Sequence, residues 1–400
     1  MNRSAVVAVA LLVGGCRGTA RPASEDAALA RLVDSLTPQV ERAVGLPFKR
    51  RPRARMITRE QAAAFVQRQL TTQLGGGRGQ HLATSYRLLG LVPDSTDLAR
   101  LLGAVLAEQV AGYYDPDSSA FFAVRGASGA AFRITVAHEL VHALQHDYVP
   151  LDSLVKAVDD GDRLLAAHSV LEGQATLAMF RMQPEVGDLV LDPSFWETAK
   201  SSARTQMAAM PQIAGAPRVI QESLLFPYLS GADYIRWWLR HHPASEQPYG
   251  AATPRSSEQI LDPERVERGD VPLEVTFAGA DSALFHESLG AAGMRVFLAE
   301  ARGQAALDEP AVLGWGGDRF ELYAAPGGEA LVWIAVFDAP GGRDRALGAL
   351  QRGWPRPRVG HRTESSALEV SGKPGLRLVV APTEWRRWSA LPTATAAPIP

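Results

Sequence analysis

The chain has 400 residues, of which 46% are apolar and 21% charged, and a formal net charge of −2 at pH 7. This is ordinary globular material, and the charge balance offers no electrostatic footing on a polyanion, so nucleic acid is not an expected partner. The length exceeds the usual span of one core, so one large or two domains are expected, and no stretch beyond the N-terminus is apolar for long enough to cross a bilayer.

Residues 1–15 read as a processing signal. Arg3 supplies positive charge, Ala5–Val13 a short apolar run, and Val13-Gly14-Gly15-Cys16 closes it with small residues before the only cysteine. The pattern resembles the lipobox of bacterial lipoproteins. The resemblance implies cleavage ahead of Cys16, acylation of that residue as a lipid anchor, and export to the bacterial cell envelope. By the same resemblance, Arg17 in the next position favours the outer membrane. An ordinary secretory signal cut nearby would export the chain equally. With Cys16 consumed, no thiol remains for disulfides or thiolate-bound zinc. Residues 16–24 are small and polar enough for a tether.

Residues 25–44 have helical apolar spacing at Ala28, Leu29, Leu32, Val33, Leu36 and Val40. The basic run Lys49–Arg55 fits either lipid head groups or a solvated connection. Thr58 followed by Gln61 is a capping-box pattern opening a helix over 58–74, which Gly75-Gly76-Gly77 ends. A further helix is predicted over 97–109. Two short strands, Gly112–Tyr114 and Ala120–Val124, flank the turn Asp115-Pro116-Asp117-Ser118. A strand beside a helix that carries chemistry can pair through its backbone with an extended peptide. Ala120–Val124 is the candidate for that strand, although a plain sheet strand would read the same way.

The segment Arg133–Asp147, RITVAHELVHALQHD, contains His138, Glu139 and His142 in the pattern H-E-x-x-H on an apolar helix. Positions i and i+4 lie one above the other, so both imidazoles project from one face at a separation one cation can bridge. Glu139 is offset by one residue, beside the metal rather than on it, where it can take a proton from water that the metal activates. A zinc site needs a third protein ligand. The pattern H-E-x-x-H-x-x-G-x-x-H fails, because Gln145 and Tyr148 occupy its Gly and His positions. Thirty residues after His142, Glu172 in Ser169–Thr176 lies on a second helical segment and is the candidate ligand.

With these residues the sequence resembles the gluzincin metallopeptidases, and more closely a group of uncharacterised bacterial zinc-peptidase-like proteins. The shared stretches are Ala107–Pro116, Ala137–Gln145, Leu171–Thr176, Ser256–Leu261 and Gly314–Arg319. The resemblance covers roughly residues 95–340. It implies an α+β fold, with a mainly helical zincin-like domain carrying a small sheet, and one Zn²⁺ per chain on His138, His142 and Glu172. It also implies hydrolysis of peptide bonds in a peptide or protein substrate. Tyr228 is nominated as oxyanion stabiliser because gluzincins place a tyrosine on a later helix for this task, with His168 as runner-up. His146 departs from the group's usual Asp. It sits one further turn along the face of His138 and His142 and reads as a cleft-lining non-ligand ahead of a surplus ligand.

The zincin-like domain is expected to span 25–247, and residues 248–283, rich in Pro, Ser and charge, to form a rim loop or linker, with Glu258 able to touch the cleft. A smaller α+β unit is expected over 284–390, with helices at 289–301 and 343–351 and strands at 320–324, 330–337, 367–370 and 376–380. The low-complexity tail 391–400 is expected to be disordered. The reading is an exported, lipid-anchored zinc metallopeptidase. Its main competitor is a non-catalytic envelope lipoprotein whose zincin-like domain binds a peptide or partner, and a zinc amidase acting on cell-wall peptides would use the same ligands.

Overall fold

The computed structural model describes residues 22–151, 160–243, 245–278, 283–307, 312, 314–353 and 359–399. The signal segment and Cys16 lie outside the described residues. The helical spacing of the N-terminal segment becomes α1 (Pro22–Val44), already helical where a tether to Ser24 was expected, and it buries Leu29, Val33, Leu36 and Val40. Next comes β1 (Ala54–Ile57), then α2 (Arg59–Leu74), whose Thr58 and Gln61 form the reciprocal capping box that the sequence predicts. Helices α3 (Arg78–Leu88) and α4 (Leu98–Gln109) lead to β2 (Gly112–Asp115), β3 (Ala120–Val124) and the long helix α5 (Gly129–Tyr148).

The first sheet has the order β1-β3-β2, with β1 parallel and β2 antiparallel to β3. This corrects the expectation for Ala120–Val124. As the central strand, β3 has both edges paired and no backbone groups to offer a substrate, so the outer strand beside α5 is β2.

Helix α6 (Gly161–Arg181) is capped by Asp160 and packs between α5 and the later helix α8 (Arg218–His241), with α7 (Pro193–Ala208) between them in sequence. Helices α6 and α8 touch backbone to backbone. A Cβ on Gly173 would lie 2.1 Å from the carbonyl carbon of Gly231, and one on Gly231 would lie 2.0 Å from the Ser169 oxygen. Only glycine at both positions permits that approach.

The segment expected as a rim loop instead carries a buried helical turn, α9 (Ser257–Leu261), packed against α6, α8 and α10 (Gly290–Ala301). Ser257 donates to Asp162, and Glu258 accepts from the Gly314 amide and pairs with Arg265, so Glu258 is committed there rather than at a cleft. The remaining strands are β4 (Leu273–Ala278), β5 (Phe285–Glu287), β6 (Trp315–Ala325), β7 (Gly328–Phe337), β8 (His361–Val370) and β9 (Lys373–Pro382), with α11 (Pro340–Gly353) between β7 and β8. They form an antiparallel sheet of order β5-β6-β7-β9-β8, apart from β4.

The tail expected to be disordered is ordered as β10 (Thr393–Pro398), antiparallel to β4. Its alternation of small and β-branched residues suits a strand once a partner edge is present. The five-stranded sheet shares one continuous buried cluster with α3, α4, α8 and α10, from Leu88 and Val105 through Leu225 and Phe297 to Trp333 and Leu378. The fold is α+β. No helix among the described residues is long and apolar enough to cross a membrane.

Candidate metal site

Two helices facing one another supply the candidate ligands. On α5, Val136, Leu140, Val141 and Leu144 are fully buried, which fixes the rotation of the helix and turns His138 and His142 toward α6. On α6, Leu171 and Ala175 enter the same core as α5 and carry Glu172 between them. His138, Glu139, His142 and Glu172 are all at most 5% exposed.

The geometry suits a small divalent cation. His138 Nε2 lies 3.0 Å from Glu172 Oε2 and 3.1 Å from His142 Nε2, and His142 Nε2 lies 3.5 Å from Glu172 Oε2. Zinc held tetrahedrally at about 2.0–2.1 Å separates its ligand atoms by roughly 3.3 Å, which these three spacings bracket. Two imidazole nitrogens at 3.1 Å need a proton or a cation between them. Among the described residues this is the group of His, Cys, Asp and Glu side chains that could hold a metal ion.

Charges in the site are strongly coupled. Burial would raise Glu172, but His142 and the hydrogen bond with His138 outweigh it and hold its carboxyl well below the usual range. Burial would likewise lower His142, and the Glu172 carboxylate more than offsets it, so that ring is held up; burial prevails at His138, which is held down. Glu139 is pushed up to about 8 by burial, with His142 opposing. Both its carboxylate oxygens are buried with no partner at hydrogen-bond distance among the described residues, the Tyr114 amide acting on the group only weakly, so a buried carboxyl stands beside the ligand cluster.

The other sequence candidates fall around this centre. Tyr228 lies on α8 directly after Pro227, one turn before the Gly231 crossing, and its ring centre is 6.1 Å from that of His138. His168 is one turn before Glu172 on α6. Its Nε2 is buried without a hydrogen-bond partner among the described residues, and burial holds the ring below its ordinary value. His146 stands apart from the ligand group, with its Nδ1 2.8 Å from the Tyr114 hydroxyl. The basic run is engaged within the chain. Lys49 and Arg50 bond Asp147, and Arg51 pairs with Asp34. His241 bonds the Trp237 carbonyl at the end of α8.

Sequence reading passed over a set of amides behind His142. Gln145 Oε1 is 2.8 Å from His142 Nδ1, and Gln145 Nε2 donates to the Leu171 carbonyl and to Gln174 Oε1, each at 3.0 Å. Tyr249 also donates to Gln174 Oε1; Gln174 Nε2 donates to Gln247 Oε1 at 3.0 Å, and Gln247 Nε2 to the Val44 carbonyl at 3.5 Å. The available signal was a glutamine three residues after a ligand on an otherwise apolar helix, where a buried amide has to find partners.

No family model matches the sequence, and no curated protein does. Among solved structures, a Chloroflexus aurantiacus protein, provisionally described as a hydrolase with a novel fold, aligns with a TM-score of 0.40 and 17% identity, over 64% of this chain and 93% of that one. A likeness at that level carries no argument about fold or chemistry.

Proposed function

We propose that the chain is a zinc metallopeptidase of gluzincin type, exported and lipid-anchored through Cys16 at the bacterial cell envelope. The observation that carries the catalytic part is the ligand triangle of His138, His142 and Glu172 with a buried carboxylate, Glu139, beside it. When bound, zinc supplies the Lewis acidity that polarises water and the scissile carbonyl. Glu139 takes a proton from water and delivers it to the departing amine. Tyr228 donates to the developing oxyanion from the His138 side, with His168 the alternative donor from α6. The substrate's reacting segment lies along the outer edge of β2, the strand packed beside α5.

A second reading has a specific observation in its favour. The centre is buried, with Glu139 fully so, and neither of two cavities of about 190 and 140 Å³ is lined by His138, Glu139 or His142. A non-catalytic envelope lipoprotein that binds a peptide or partner would not need to open it.

Metal analysis of the purified chain tests the site. One zinc per chain is expected, lost in Glu172→Ala and His142→Ala and retained in Glu139→Gln, which is expected to abolish turnover on peptides. Zinc absent from the wild type after supplementation, or unchanged in Glu172→Ala, sinks the ligand assignment. Zinc present without turnover on diverse peptides and cell-wall amides selects the binding protein.

A further inference from the structure

We infer that Gln145 is a positioning residue that keeps a proton on Nδ1 of His142, its own orientation set by the Leu171 carbonyl of α6 and matched by a chain of amides beyond it. The inference builds on the metal reading above, but the hydrogen-bond chain is independent of any ion.

The direction of the chain follows from its ends. A primary amide can face a neighbour with either its oxygen or its nitrogen, whereas a peptide carbonyl only accepts. The Leu171 carbonyl therefore takes the Gln145 nitrogen, which turns the Gln145 oxygen to His142 Nδ1 at 2.8 Å. An oxygen in that place requires a proton on Nδ1 in either charge state of the ring. When the ring is neutral, the bare nitrogen is then Nε2, the atom that faces His138 and Glu172.

The far end agrees. The Val44 carbonyl takes the Gln247 nitrogen, so Gln247 presents oxygen to the Gln174 nitrogen, and Gln174 presents oxygen to Gln145 and to the Tyr249 hydroxyl. Reversing one amide would set nitrogen against nitrogen at one junction and oxygen against oxygen at another. Gln145 is 1% exposed and Gln174 7%, so water does not readily supply the missing partner.

The chain also ties the two ligand helices together. Gln145 is on α5 with His142, whereas Leu171 and Gln174 flank Glu172 on α6. A shift of either helix along the other would break the bond that orients His142.

The test uses the full chain with ¹⁵N-labelled histidine, metal-free and after titration with zinc alone. In the wild type, the His142 side chain is expected to show a protonated, slowly exchanging Nδ1 in both forms, with Nε2 the coordinated nitrogen after zinc addition. Gln145→Leu is expected to lose that protected Nδ1 proton and to weaken zinc binding by roughly 10–100-fold in chelator competition. Gln174→Leu leaves the Leu171 anchor and is expected to keep the protected proton. An unprotonated Nδ1 in the wild type, or an unchanged proton and zinc affinity within twofold in Gln145→Leu, overturns the inference. If Gln145→Leu does not fold, the wild-type signal in the metal-free chain decides: a slowly exchanging Nδ1 proton supports the assignment and its absence refutes it. A wild type that binds no zinc defeats the metal reading, while the metal-free Nδ1 signal still decides the bond between Gln145 and His142.

Discussion

Replacing Gly173 with Ala tests the helix crossing that places Glu172 and Tyr228. The added methyl carbon would sit 2.1 Å from the Gly231 carbonyl carbon, 2.3 Å from its oxygen and 2.6 Å from the Ala232 nitrogen. All three are backbone atoms, so no side chain can swing aside, and α6 and α8 must part by about 1 Å or more to restore van der Waals contact. Overpacking of a core ordinarily costs about 1–3 kcal/mol, and a clash with backbone belongs at the upper end. Alanine recovers about 1 kcal/mol of helix propensity, leaving a net loss of about 2 kcal/mol or more. Urea denaturation of wild type and variant measures it. Gly103→Ala is the matched control: its methyl would meet Leu70 Cδ1 at an ordinary 3.6 Å, and it is expected to gain up to about 1 kcal/mol. Zinc affinity should fall in Gly173→Ala, since Glu172 is its neighbour, and not in Gly103→Ala. A Gly173→Ala protein within about 0.5 kcal/mol of wild type would show that the crossing does not set the geometry of the site.

Asp318 accepts from the Ser288 hydroxyl, the Leu289 and Gly290 amides and the indoles of Trp315 and Trp333. Asp318→Ala strands these donors in the core and is expected to cost about 3–5 kcal/mol or prevent folding, read by thermal melting; a shift of only a degree or two would refute it. Asp162 is pushed from 3.8 up to about 8 by burial, then by Asp160, with Ser257 opposing. Between those values the folded state holds a proton that the unfolded state has released, so stability falls as pH rises. Wild type should therefore lose up to about 1.4 kcal/mol per pH unit more than Asp162→Asn across that window, and parallel curves would contradict the shift. Thr58→Ala removes the reciprocal cap of α2 and should cost about 1 kcal/mol by urea denaturation, with no change in zinc content; a neutral result would mean that the cap contributes nothing.

What the sequence determined by itself was local. His138, Glu139 and His142 are within one turn of a single helix, and the 3.6-residue period alone puts the two imidazoles on one face. The capping box at Thr58 is likewise a property of a few consecutive residues. Helices α3 and α7 were passed over because their apolar faces are thin; α7 buries only Trp196 and Met207.

Everything that depended on a distant partner was decided by the tertiary structure. Strand order made β3 central and β2 the edge, because β1 arrives in parallel from more than fifty residues earlier, a pairing that no periodicity reveals. Composition made 391–400 a disordered tail, yet hydrogen bonds from β4 order it as a strand. Glu258 was expected to be able to touch the cleft, but it, with Ser257 and Asp318 from the shared stretches, proves to be a packing junction between α6, α9, α10 and β6. Glu172 could be named as a ligand from its motif, but its distance from His138 is set by the packing of α6 on α5, where Leu171 and Ala175 enter the same core. Gln145 acquires a role only through carbonyls on another helix. Helical and strand periods follow from backbone geometry within a few residues, whereas these contacts depend on which surfaces meet when the whole core closes.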